Sequence, residues 1–356
     1  MQNCSRPNLL EIATSEISQD AILVYLIMWS DPQYEESDKS LHLMATKFVR
    51  KLLAKDEDYL IKSVNAGRQY KKIDVWADIN GTDFIALEDK TNTSHARDQL
   101  KRYKLDMEKD IKYIEHKKHF IYLKTGNENA AKAEAVKGYD YRAIYRHEFL
   151  DILLTYKSEN VILLDLIDKL SNLETKTSDL SLDKIKTCKL AGEGFFCRLE
   201  SYLLAKGISK LIDEIRWDTI PQKDPFLALW YNYVHFTQYN YQLKIQIENH
   251  QYKPEIRLQI KISVDESIEK SERKTVAIKV YNELYEFCKD TEVTINKRRS
   301  PGKGNVVTVL EIENAFLPDI EGNLDMNQLF KTLGSAEALI ANFCNLKSSM
   351  KPITRQ

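Results

Sequence analysis

The segment Ile73 to Lys90 constrains the fold more tightly than any other part of the chain. Ile73, Val75 and Ala77 alternate with Asp74, Trp76 and Asp78, the two-residue period of a strand. Asn80-Gly81 follows. Both residue types tolerate positive φ, so the pair is the strongest short-range hairpin signal. Phe84 to Leu87 reads as the return strand and leads into Glu88-Asp89-Lys90. Its apolar character argues against a fully exposed strand. Glu88 and Lys90 lie two residues apart and point to one face, whereas Asp89 points to the other. Asp74, on the paired strand, can meet Glu88 across the hairpin or diagonally.

The flanking pattern is helical. Residues 14–30 read as a buried helix that Thr14 or Ser15 can cap, and Leu41 to Leu53 as a second. Arg97 to Glu115 is helical and strongly charged. His119 to Lys124 and Tyr141 to Tyr145 are short strands, and a helix runs from His147 to about Leu170. This order predicts an α/β unit with a mixed central sheet flanked by helices. Residues 171–183, rich in Ser, Thr and Asp, read as a linker. Beyond it come aromatic strands (Leu227 to Phe236, Tyr241 to Glu248, Glu255 to Val264). Helices over Arg273 to Lys289 and Asp325 to Cys344 flank a strand–loop–strand from Val293 to Glu311. The expected organisation is an α/β domain over residues 1–175 and an α+β domain of unknown family over residues 176–356. That fits 356 residues at roughly 100–200 per domain.

Composition excludes several classes. Hydrophobic residues make up 43% and charged residues 29%, which is ordinary for a globular chain and argues against disorder. With 52 Lys and Arg against 53 Asp and Glu, the net charge of −1 excludes a globally basic nucleic-acid coat but not a local basic groove. The apolar run Ala21 to Trp29 is about half of the ~20 residues needed to span a bilayer. It lacks the flanks of a signal peptide. The five cysteines (Cys4, Cys188, Cys197, Cys288, Cys344) show no C-x-x-C spacing, so neither a disulfide framework nor a zinc site is expected. The expectation is a reduced, cytoplasmic protein with no membrane partner, and the sequence leaves room for a homo-oligomer.

The chemistry concentrates in about thirty residues: Asp74, Glu88-x-Lys90 and Gln99-x-x-x-Tyr103. Two carboxylates and the Asp89 carbonyl are hard oxygen ligands that suit Mg²⁺ or Mn²⁺. A lysine beside them can orient or help deprotonate a metal-bound water, or stabilise charge on a phosphate. Metal-assisted hydrolysis of a phosphodiester needs these parts. E-x-K or D-x-K alone carries little information, since a chain this charged contains on the order of half a dozen chance matches. Asp110-x-Lys112 and Glu115-x-Lys117 are two of them, both in a solvated stretch with no hairpin before it. The competing reading of Glu88 and Lys90 is a salt bridge at an exposed strand end.

The arrangement I-D-V (73–75), hairpin, F-I-A-L-E-D-K (84–90), then Q-L-K-R-Y (99–103) resembles the PD-(D/E)XK phosphodiesterase superfamily. The Q-x-x-x-Y element is similar to that of its RecB-like branch. The resemblance covers roughly residues 10–170 and implies a restriction-endonuclease-like core. It implies Asp74 and Glu88 as metal ligands, Lys90 as the catalytic lysine, and Glu16 as the first-helix glutamate, ligating directly, through water or at a second cation. Gln99 and Tyr103, at i and i+4 on one helix face, would support Lys90 or the DNA backbone. The proline often found before the first aspartate is Ile73 here, and the upstream glycine matches only Gly67, seven residues away. The implied activity is metal-dependent hydrolysis of nucleic acid, most readily DNA, in defence or DNA processing. The rival is a non-cleaving nucleic-acid- or protein-binding protein on the same core.

Other features carry two readings each. The helix from Arg97 with Lys101 and Arg102 is either a backbone-contacting face beside the site or a solvated helix with i,i+4 pairs. The loop 297–304, with Arg298, Arg299 and Lys303, is either a phosphate grip or an ordinary hairpin loop. The aromatic group Trp230, Tyr231, Tyr233, Phe236, Tyr239 and Tyr241 either stacks bases or packs a sheet. His95 is close to the motif in sequence, and a surface-loop histidine is the plainer account.

Overall fold

The computed structural model describes residues 8–12, 16–91, 98–157, 159–207, 214–296 and 304–349. The chain is mixed α/β, with two sheets in two compact units: residues 1–128 with 132–176, and residues 129–131 with 177–356. Among the described residues, no helix is long and apolar enough to cross a membrane.

The first unit opens with α1 (Leu9–Ile12), α2 (Glu16–Met28) and α3 (Lys39–Leu53). Asp38 caps α3 by accepting the Leu41 amide at 3.0 Å, and Ala54 ends it in the left-handed region. Next come β1 (Val64–Tyr70), β2 (Ile73–Ile79), β3 (Asp83–Lys90), α4 (Gln99–Glu108), β4 (Lys117–Lys124), α5 (Ala130–Gly138), β5 (Arg142–Tyr145), α6 (Arg146–Leu153) and α7 (Val161–Ser178). The sheet runs in the order β1-β2-β3-β4-β5, antiparallel through β3 and parallel from β3 to β5. Asn80 and Gly81 both have positive φ, at 60° and 69°, and the Thr82 amide donates to the Ile79 carbonyl, closing the tight turn expected of Asn-Gly. Gly67 stands opposite Trp76, where a Cβ would come within 2.9 Å of the indole.

Helices cover both faces of this sheet. Val75, Ala77, Ile85, Leu87, Ile121 and Leu123 pack with side chains of α2, α3, α6 and α7. Phe84, Ala86, Phe120 and Tyr122 pack on the other side with Leu100 and Met107 of α4 and Val136 of α5. Every residue of β3 is therefore buried, as parallel pairing in a covered sheet requires.

The second unit contains α8 (Leu182–Thr187), α9 (Lys189–Ala205), β6 (Arg216–Ile220), β7 (Phe226–Phe236), β8 (Tyr241–His250), β9 (Glu255–Val264), α10 (Lys270–Cys288), β10 (Ile295–Asn296), β11 (Val306–Ile312) and α11 (Met326–Ser349). Its sheet is antiparallel throughout, in the order β10-β11-β9-β8-β7-β6. One face forms the core, where Leu229, Tyr231, Leu243, Ile245, Leu258 and Ile260 meet α8, α9, α10 and α11.

Three readings of the sequence are corrected. The charged helix after the motif ends at Glu108, because Asp110 caps a separate 3-10 turn over Ile111–Tyr113. The helix read from His147 to about Leu170 is two helices. Asn160 restarts the chain by accepting the Leu163 amide at 3.2 Å. Residues 171–178 continue α7 instead of forming a linker, and the turn that follows is held by Asp179, which accepts the Ser181 amide at 2.9 Å. In agreement with the packing reading of the aromatic group, Tyr231, Phe236 and Tyr241 belong to the core.

Within the second unit, Glu200 of α9 is 3% exposed and accepts hydrogen bonds from the Ala130 amide at 2.9 Å and the Trp217 indole at 3.2 Å. Burial pushes its carboxyl up to about 7, from an ordinary 4.5. The folded value stands above the unfolded one. Folding stability is therefore fullest below about 4.5 and declines as the pH rises through about 7, by about 3 kcal/mol for this group. Glu200→Gln keeps an acceptor and removes the titration. We expect its Tm to fall less than that of the wild type between pH 5 and pH 8, and parallel Tm profiles would contradict this.

Candidate metal-binding and catalytic site

The site forms where β2 begins and β3 ends. Val75 pairs with Leu87, and one further step of that register sets Asp74 opposite Glu88. The two-residue period then brings Glu88 and Lys90 to the face shared with Asp74. The Lys90 ammonium lies 2.8 Å from Glu88 Oε1, 3.2 Å from Asp74 Oδ2 and 3.0 Å from the Asp89 carbonyl oxygen. One cation thus touches three oxygens from two strands, so those oxygens converge on a single point. Asp74 Oδ2 also accepts the Asp89 amide at 3.1 Å, tying the carboxylate to the strand opposite.

α4 adds the next layer. Gln99, its first residue, donates from Nε2 to Glu88 Oε1 at 2.7 Å and to the Tyr103 hydroxyl at 3.1 Å. The i,i+4 spacing puts both side chains on the helix face toward β3. The other carboxylate oxygen, Glu88 Oε2, is buried and has no hydrogen-bond partner among the described residues. A buried acceptor without a donor is costly, and Asp89 Oδ2 on the opposite face is in the same state.

Exposure grades across the cluster. The side chains of Glu88, Lys90 and Asp74 are 2%, 10% and 27% exposed, so the site opens to solvent on the Asp74 side. Burial, and then the Asp74 charge, push the Glu88 carboxyl up to about 7 against the opposing pull of Lys90. Burial works against the Lys90 charge, but Glu88 and Asp74 outweigh it, and the ammonium is held protonated.

Asp89 faces the other way, as the strand period requires. Its Oδ1 accepts from Gln19 Nε2 at 2.8 Å, and Gln19 also donates to Thr125 Oγ1 at 3.1 Å. Full burial, with Asp20 nearby, raises the Asp89 carboxyl well above its ordinary range, which favours its neutral form. Gln19 is a residue that the sequence did not single out. Its signal was available only in part: it lies three residues after Glu16, one helical turn along α2. Tyr141 is another. It is buried, and burial followed by the Glu88 charge raises its hydroxyl.

The backbone of Glu16 opens α2, while its side chain lies outside the described residues. His95, Arg97, Arg298, Arg299 and Lys303 also lie outside them. Lys101 and Arg102 are exposed on α4 directly after Gln99. Lys104 is committed to Asp140 at 2.7 Å, which narrows any cationic face on this helix to its first turns. Among the described residues, no group of three or more His, Cys, Asp or Glu side chains is arranged for a metal. The hard donors gathered here are therefore Asp74, Glu88 and the Asp89 carbonyl.

Compared with known proteins, the chain matches no protein-family model, no curated protein and no solved structure. The site is therefore argued from its own geometry. Removing the ammonium leaves two neighbouring carboxylates without their cation. Lys90→Met should cost about 3 kcal/mol in urea unfolding at pH 8 in EDTA, and less at pH 6, where Glu88 can take up a proton. Unchanged stability at both pH values would show that the three oxygens do not depend on a cation.

Proposed function

We propose that the chain is a divalent-metal-dependent phosphodiesterase that hydrolyses nucleic acid, DNA first, on a restriction-endonuclease-like core of the PD-(D/E)XK kind. The observation that carries this reading is the convergence of Asp74 Oδ2, Glu88 Oε1 and the Asp89 carbonyl on one cation-sized point. The donor set fits Mg²⁺ or Mn²⁺: all three atoms are hard oxygens, two are carboxylate, and Glu88 Oε2 remains without a donor. A bound divalent ion supplies Lewis acidity and a more acidic water.

The protein's own groups do the rest. Asp74 and Glu88 would hold the ion, and Gln99 positions the Glu88 carboxylate by donating to its Oε1. With an ion held by those oxygens, Lys90, protonated, would place its charge beside the scissile phosphate. Lys101 and Arg102 are exposed in the first turns of α4, the helix that carries Gln99, and add positive charge there. The reading as a purely structural salt bridge explains the ion pairs but not why two carboxylates and a carbonyl from two strands meet at a partly exposed edge. Glu16 would add a third carboxylate from α2.

Supercoiled plasmid and single-stranded DNA incubated with Mg²⁺ or Mn²⁺ test the proposal. The wild type should degrade at least one of them, with the rate lowered about a hundredfold or more in Asp74→Ala and Lys90→Ala. Equal behaviour of wild type and both variants would remove the enzyme reading and leave the binding platform.

A further inference from the structure

The second sheet has a face that its helices do not use. Successive rungs on it carry Trp230 opposite Gln246, Gln246 opposite Gln259, and Lys244 opposite Lys261 opposite Thr308. Most of this face is a closed polar network. Lys261 reaches Glu248 Oε1 at 2.7 Å and Thr308 Oγ1 at 2.8 Å. His250 and Gln246 bond the same glutamate, each at 2.9 Å. Lys244 stands outside the network. It directly faces a second lysine, and among the described residues it has no carboxylate partner. Like charges set directly opposite are destabilising in a sheet. Burial, with Lys261 adding to it, lowers the Lys244 ammonium, as expected of a cation without its counter-charge.

What surrounds Lys244 is aromatic. Its ammonium lies 5.8 Å from the ring centroid of Trp230 and 5.5 Å from that of Tyr233. All three side chains are partly exposed. A β-bulge makes this grouping. Between the pairs Tyr231–Ile245 and Val234–Leu243, two residues of β7 oppose the single residue Lys244, and Asn232 takes a positive φ of 56°. In a regular strand Trp230 would share its face with residue 232. The extra residue re-aims Tyr233 instead, so that both rings flank the lysine, while Tyr231 stays in the core.

We propose that this face binds a single-stranded polynucleotide, with Trp230 and Tyr233 stacking against bases and Lys244 meeting the intervening phosphate. An unneutralised cation between two rings complements a ligand that alternates anionic groups with flat π-surfaces, and only an unpaired strand offers those surfaces. The proposal rests on the nuclease reading for its purpose: it assigns the second unit to substrate capture and the substrate class to unpaired strands.

Binding of fluorescein-labelled oligo(dT) by the full chain in EDTA, followed by anisotropy, tests it without cleavage. Trp230→Ala and Tyr233→Ala should each weaken binding about tenfold, and Trp230→Phe should restore most of the loss. Lys244→Gln should weaken binding and lower the slope of log affinity against log salt by about 0.7. A blunt DNA hairpin should bind more weakly than oligo(dT). Variants that melt like the wild type yet bind oligo(dT) equally well would overturn the proposal, as would a wild type that does not bind it or that prefers the hairpin. Loss of metal-dependent cleavage with this binding intact would instead overturn the nuclease reading alone.

Discussion

The parallel pairing of β3 with β4 decides what the first unit can do. It places β3 at the centre of a sheet with helices on both faces, so every residue from Asp83 to Lys90 is buried. Three consecutive ionisable residues at the end of such a strand are costly unless each finds a partner. The structure meets that demand by dividing them according to strand period. Glu88 and Lys90 turn toward Asp74 and α4, and Asp89 turns toward Gln19 and Thr125.

The division gives the two faces different chemistry. On the Asp89 side the carboxyl is fully buried and favours its neutral form, so it serves the packing of α2 against the strand end. On the Glu88 side Lys90 pairs with the carboxylate, and Asp74 opens the cluster to solvent. The same strand thus closes one carboxyl into the core and presents another at an edge. Its backbone carbonyl at Asp89 joins the ionic face although its side chain does not. Hydrolysis of a phosphodiester would draw on these groups together.

Much of this arrangement was legible from residue order alone. Asn80-Gly81 fixed the turn, and the alternation over Ile73 to Ala77 fixed which residues face inward. The i,i+4 spacing of Gln99 and Tyr103 anticipated one helix face. The long strands of the second unit were legible from their aromatic composition. What stayed hidden depends on contacts far apart in sequence or on local exceptions. β1 is a polar strand with an irregular burial pattern, so VNAGRQY shows no alternation to detect. α9 went unread, and its Gly194 allows a close approach, since a Cβ there would lie 1.9 Å from the Thr177 carbonyl oxygen. Gln19 meets the Asp89 side chain from an element seventy residues away in the chain. The pairing of Trp230 with Tyr233 needs a bulge that no simple period announces.

The most direct measurement is the anomalous difference map of a crystal grown with Mn²⁺. A peak about 2.1 Å from Asp74, Glu88 and the Asp89 carbonyl, with the Lys90 ammonium moved off those oxygens, is the expected result. A map without a peak there, and with Lys90 still bridging the two carboxylates, would contradict the claim that these oxygens are a metal cradle.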